Sequence, residues 1–134
     1  MQQRTSAHKH LYTGLFILIL VVAGITGLSY LEDAGCNIKV LESKVSPDGK
    51  YIAKAIVKDC GATTGFSPQV KIGFSSTSLF DRKAFWGYQT DSVAVSWKGN
   101  NELQIYSDCS PENIYAIKDR IYSVNIRFMG RIRR

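Results

Sequence analysis

The sequence predicts an all-β body of about six strands, a mostly antiparallel meander or small sandwich, preceded by one N-terminal transmembrane helix. Three observations carry that expectation. An uncharged apolar run lies near the N-terminus, period-two alternation pervades the rest, and turn sequences fall between the alternating segments. The chain has 134 residues, room for one ordinary domain. It is 45% hydrophobic and 21% charged, which suggests neither disorder nor a coiled coil.

Residues 1–10 read as a cytoplasmic flank, with Arg4 and Lys9 and no acid. Residues 11–31 read as the membrane helix, a signal anchor. Leu11 to Leu28 holds no charge, Tyr12 and Tyr30 lie near its ends, and Glu32 and Asp33 follow. The positive-inside rule then puts the N-terminus in the cytoplasm and the body outside. A cleaved signal peptide competes, since Ala23, Gly24, Gly27 and Ser29 supply small residues near the end of the run.

Residues 32–129 read as an extracytoplasmic β-domain. A first strand covers Ile38 to Val45. Tyr51, Ala53, Ala55 and Val57 alternate with polar or outward residues, as do Val70, Ile72 and Phe74. The same period places Val93, Val95 and Trp97, then Leu103 and Ile105, then Tyr122, Val124, Ile126 and Phe128, on one face of their strands. Ser46-Pro47-Asp48-Gly49 predicts a type I turn joining the first two strands. Lys98-Gly99-Asn100-Asn101 predicts the turn between the Trp97 and Leu103 strands. Ser75 to Thr90, with Phe80, Phe85, Trp86 and Tyr88, reads as a long loop, either closing the core or presenting a stacking platform. Residues 130–134 read as a basic tail.

The net charge of +6 divides unevenly: +2 over residues 1–30, −1 over 31–119 and +5 over 120–134. A near-neutral body with basic ends argues against a nucleic-acid partner and for the lipid bilayer.

Catalytic chemistry is sparse. Both histidines, His8 and His10, precede the apolar run, which removes Ser-His-Asp and Cys-His catalysis and His-based metal sites from the body. Gly61-Ala62-Thr63-Thr64-Gly65 lacks the Lys of a phosphate-binding loop. No cofactor, metal site or catalytic residue is assigned. The most unusual stretch is Asp59-Cys60-Gly61-Ala62-Thr63-Thr64-Gly65-Phe66. Asp59, Cys60, Thr63, Thr64 and Phe66 are the candidate binding residues. The competing reading is a loop whose threonines cap its own backbone. Three cysteines, Cys36, Cys60 and Cys109, allow three pairings outside the cytoplasm. Cys60 and Cys109 each end a strand after an Asp, which favours their pairing, with a free, reactive Cys60 as the alternative.

Gly35-Cys36, Ser46-Pro47-Asp48-Gly49-Lys50-Tyr51, the Asp59 to Ser67 run and the Val93, Val95, Trp97, Leu103, Ile105 pattern together resemble a family of small uncharacterised bacterial envelope lipoproteins. The resemblance spans Cys36 to Phe128 and implies an envelope location and a β fold without implying an activity. In those relatives the cysteine matching Cys36 is lipidated. Here Glu32 and Asp33 stand where that signal needs apolar residues, so a retained helix is expected to replace the lipid. The expected function is a non-enzymatic interaction or structural module of the bacterial envelope, anchored in the inner membrane, with an envelope protein as its partner beside the lipid bilayer. The alternative is a thiol-dependent enzyme or redox protein using Cys60.

Overall fold

The computed structural model describes residues 3–31, 35–61 and 64–130, with side chains described outside 3–9 and 25–31. Two compact units divide it, Met1–Gly35 and Cys36–Arg134.

The first unit contains α1 (Gln3–Leu31). The helix begins inside the stretch expected to be a flank. Leu11, Tyr12 and Leu15 to Val22 are all more than half exposed. Among the described residues no helix is long and apolar enough to cross a membrane, which corrects the expected transmembrane helix over 11–31.

The second unit is β-rich, and its described residues form nine strands: β1 (Asn37–Val45), β2 (Tyr51–Asp59), β3 (Ser67–Phe74), β4 (Thr77–Gly87), β5 (Val93–Trp97), β6 (Glu102–Ser107), β7 (Ile114–Ile117), β8 (Arg120–Ile121) and β9 (Val124–Phe128). They form a five-stranded sheet in the order β1-β2-β3-β4-β7 and a four-stranded sheet in the order β5-β6-β9-β8. One apolar cluster joins the two. Tyr51, Ala53, Ala55, Val57, Val70, Ile72 and Phe85 come from the first sheet, and Val93, Val95, Leu103, Ile105, Val124 and Ile126 from the second. These are the inward positions that period-two alternation selects, because successive strand side chains point to opposite faces.

Both expected turns form. In the first, the Gly49 amide donates to the Ser46 carbonyl at 2.8 Å, and Gly49 takes the positive φ of 75° that a side chain would oppose. In the second, the Lys98 amide donates to the Glu102 carbonyl at 2.9 Å.

The strand count and connectivity are also corrected. The expected loop over Ser75 to Thr90 contains β4, paired antiparallel with β3. Its alternation is lost because the pairing slips between Val70 and Lys71 and again between Ile72 and Phe74. Such bulges send consecutive residues, here Ala84 and Phe85, to the core side. The chain is no simple meander either. β6 and β9 run parallel, which requires the crossover that β7 and β8 supply. Tyr122, expected inside the last strand, sits in a tight turn between β8 and β9 with φ of 54°.

Edge strands β1 and β5 are tied across the sheets by side chains. Glu42 accepts the Val95 amide at 2.5 Å, Lys44 Nζ donates to the Val95 carbonyl at 2.6 Å, and Trp97 Nε1 donates to the Lys44 carbonyl at 2.9 Å. Glu42 and Lys44 also pair with each other at 2.9 Å. These bonds occupy backbone groups that an edge would otherwise leave open to another chain.

Candidate functional site

The unusual loop lies between the end of β2 and the start of β3. Its anchor is a disulfide between Cys36 and Cys60, with Cα atoms 4.0 Å apart. This corrects the expected Cys60–Cys109 pairing. The cause is local register: Asn37 pairs with Asp59 at the open end of the β1–β2 ladder, so the next residue on each strand is a cysteine facing a cysteine. Cys109 is a buried free thiol. Its sulfur donates toward the carbonyls of Asn113 at 3.3 Å and Tyr88 at 3.4 Å, behind Gly87.

Past the disulfide the loop satisfies itself. Asp59 Oδ1 accepts the Gly61 amide at 3.0 Å, and Gly61 takes a φ of 105°. Both the amide and the hydroxyl of Thr64 donate to the Gly61 carbonyl, at 3.0 and 3.2 Å. The Gly65 amide donates to the Tyr88 hydroxyl at 2.8 Å. Thr63 lies outside the described residues. The threonine-capped loop is therefore what the described residues show at Thr64, whose hydroxyl already serves the backbone.

Of the candidate binding residues, the structure brings Asp59 and Phe66 to one hollow of about 210 Å³, together with Asn37, Lys39, Leu41, Val57 and Asp91. Phe66 is 47% exposed over it. Cys60 is withdrawn into the disulfide. The hollow's lining holds two carboxylates and one ammonium, and no thiol or hydroxyl. Among the described residues no three His, Cys, Asp or Glu side chains gather as a metal site.

The aromatic residues of β4 divide between the two readings offered for them. Phe85 is fully buried and stacks on Phe128 of the opposite sheet, ring centres 5.3 Å apart. Trp86 and Tyr88 turn outward and gather around Tyr115 of β7, at 5.0 and 6.2 Å. Lys83 Nζ lies 4.6 Å from the Trp86 ring centre, and the indole nitrogen donates to Ser67 Oγ at 2.8 Å. Sequence reasoning missed Tyr115, because β7 is short and gives no alternation long enough to read, and it missed Cys36 as the partner of Cys60. The second omission was avoidable: folding the chain about the Ser46–Gly49 turn brings residue 36 near residue 60.

A model describing a family of unknown function, DUF5412, matches residues 9–109. The chain belongs to the DUF5412 family. No curated protein and no solved structure matches it. The part of this DUF5412 chain that matches takes in all three cysteines, the self-capped loop and the outward aromatics of β4. Tyr115 and the strands from β7 onward lie beyond it.

Proposed function

We propose that this DUF5412 chain carries an extracytoplasmic, disulfide-braced β-sandwich that acts as a non-enzymatic binding or structural module of the bacterial envelope, with an envelope protein as its partner. The observation that carries the reading is the Cys36–Cys60 disulfide, since such bonds persist in oxidising compartments and are reduced in most cytosols. The same bond removes the thiolate that a Cys60-dependent enzyme would use. It also occupies the sulfur of Cys36, which in the lipoproteins the sequence resembles would carry lipid. The outward Trp86–Tyr115–Tyr88 group supplies the kind of rigid, amphipathic side chains that protein interfaces favour, and Lys83 beside it adds a charge to the rim.

Thiol labelling in intact cells tests the compartment. Cells are quenched with a membrane-permeant alkylating reagent, and the protein is then unfolded and labelled with a second, heavier reagent, with and without reduction. The expected result is two more cysteines carrying the second reagent with reduction than without it, Cys36 and Cys60. Cys36 and Cys60 reduced in the cell would be blocked by the first reagent, so no gain of labelled cysteines on reduction would place the domain in a reducing compartment and overturn the reading.

A further inference from the structure

On the side of the sandwich away from the Glu42–Val95 ties, β4 faces the segment that links β7 to β9 across a cleft of about 510 Å³. Its lining is Arg82, Lys83, Lys118, Arg120, Ile121 and Tyr122, four cations and no carboxylate. Backbone bonds fix this convergence. The Lys118 amide donates to the Ala84 carbonyl at 2.9 Å, holding residues 118–120 against β4. The Tyr122 hydroxyl donates to the Phe80 carbonyl at 2.5 Å, and the left-handed turn at Tyr122 sets its ring beside the cleft, with Arg82 5.5 Å from the ring centre. The neighbouring acids do not neutralise the group. Asp81 pairs with Lys54 at 2.8 Å on the outer face, and Asp119 is not among the lining residues. Among the described residues none of the four cations has a carboxylate partner.

Four like charges in one concavity repel one another, and a bound anion of two charges relieves that repulsion where water alone only screens it. Guanidinium groups suit phosphate oxygens in forked geometry, and ammonium groups add point charges. The volume exceeds that of a bare phosphate ion and falls in the range of organic-ligand pockets, roughly 300–1,000 Å³. We infer that this cleft binds a phosphorylated ligand, its phosphate held by Arg82, Lys118 and Arg120, with Lys83, whose ammonium lies against Trp86, at the rim, and its organic part laid on Ile121 and Tyr122. The phosphate comes either from a soluble phosphate ester or from an anionic lipid headgroup.

The test titrates the full chain at low ionic strength with glycerol 3-phosphate, and separately with phosphatidylcholine vesicles with and without phosphatidylglycerol. Arg120→Gln, Lys118→Gln and the double variant Arg82→Gln/Arg120→Gln are compared with Lys71→Gln on the outer face of β3. The four replaced positions, Arg82, Lys118, Arg120 and Lys71, all carry charged side chains outside the core, and melting curves verify that each variant folds. The expected result is saturable binding that each single cleft variant weakens about tenfold, that added sodium chloride weakens further, and that Lys71→Gln leaves unchanged. Tighter binding to phosphatidylglycerol vesicles than to the ester, lost in the double variant, assigns the headgroup; the reverse assigns a soluble ester. Absence of saturable binding to both probes, or equal binding by wild type and the folded double variant, overturns the inference.

Discussion

At the residue scale, the tightest constraint sits behind the free thiol. A Cβ built on Gly87 would lie 2.7 Å from Cys109 Sγ and 3.0 Å from Phe85 Cζ, closer than such contacts tolerate. Neither neighbour has room to move, since Phe85 is fully buried and Cys109 nearly so. Gly87→Ala is expected to destabilise the domain by about 1–3 kcal/mol in urea unfolding. Adding Cys109→Ala is expected to restore part of that loss, because it removes the sulfur that the new methyl meets; a strictly additive double variant would contradict this account. A second prediction concerns Asp48. The Ser46 hydroxyl donates to its carboxylate at 2.6 Å and the Lys50 amide at 3.2 Å, and these bonds hold its pKa below the ordinary 3.8. A depressed carboxylate pKa stabilises the fold above the unfolded value, and that contribution is lost as pH falls through the folded one. Ser46→Ala is expected to move the Asp48 titration, followed by NMR, up toward 3.8. The Ser-Pro-Asp-Gly turn was legible in the sequence because its chemistry is local. The crowding at Gly87 was not, since it depends on a cysteine more than twenty residues away.

Elements tell the same story at longer range. Strand β1 is exposed along nearly its whole length, so packing contributes little to holding it. Its attachments are the β2 ladder, the Cys36–Cys60 disulfide at one end and the Glu42, Lys44 and Trp97 bonds to β5. Reducing the disulfide is expected to lower stability by about 2–3 kcal/mol, a little under the chain-entropy figure for a loop of this length, because the hairpin already restrains its ends. Hydrogen exchange should then quicken first in β1. Glu42→Ala leaves the Val95 amide without its acceptor and is expected to cost about 1–2 kcal/mol by denaturant unfolding, with exchange at Val95 rising more than elsewhere in β5. Five strands, β2, β3, β5, β6 and β9, were readable because inward residues recur at every second position, and β1 followed from the turn that joins it to β2. β4 was not, because its slips against β3 break the period, and β7 and β8 are too short to show one.

For the whole molecule, what matters is that one core serves both sheets. Phe85 of β4 and Phe128 of β9 stack across the sandwich, so Phe85→Ala opens a void touching both layers. A loss of about 3–5 kcal/mol is expected, a large fraction of the 5–15 kcal/mol typical of a domain, with a single cooperative transition retained. The two lateral edges of the sandwich differ. One is closed by Glu42, Lys44 and Trp97; the other opens into the cleft of Arg82, Lys83, Lys118 and Arg120. Arg82, Lys83 and Lys118 fall within residues 31–119, whose total of −1 conceals them, while Arg120 falls in the basic end. The local signal was two short basic runs, Arg82-Lys83 and Lys118-Asp119-Arg120, too far apart in the chain to be joined without the fold.

By itself the sequence determined the β class, the inward set on five strands, the two turns and the lack of histidine in the body. Each follows from a rule that acts within a few residues: side chains alternate along a strand, proline and glycine favour particular φ values, and composition is counted directly. Tertiary structure decided which cysteines pair, that β6 and β9 run parallel, how the aromatics of β4 divide between core and surface, and where four cations meet. It also removed the expected membrane-spanning helix, since among the described residues no helix is long and apolar enough to cross a membrane. The pairing, the strand order and the cation cluster share one physical reason. They depend on register and on contacts between distant segments, and a shift of one residue in register sends every side chain of a strand to the opposite face.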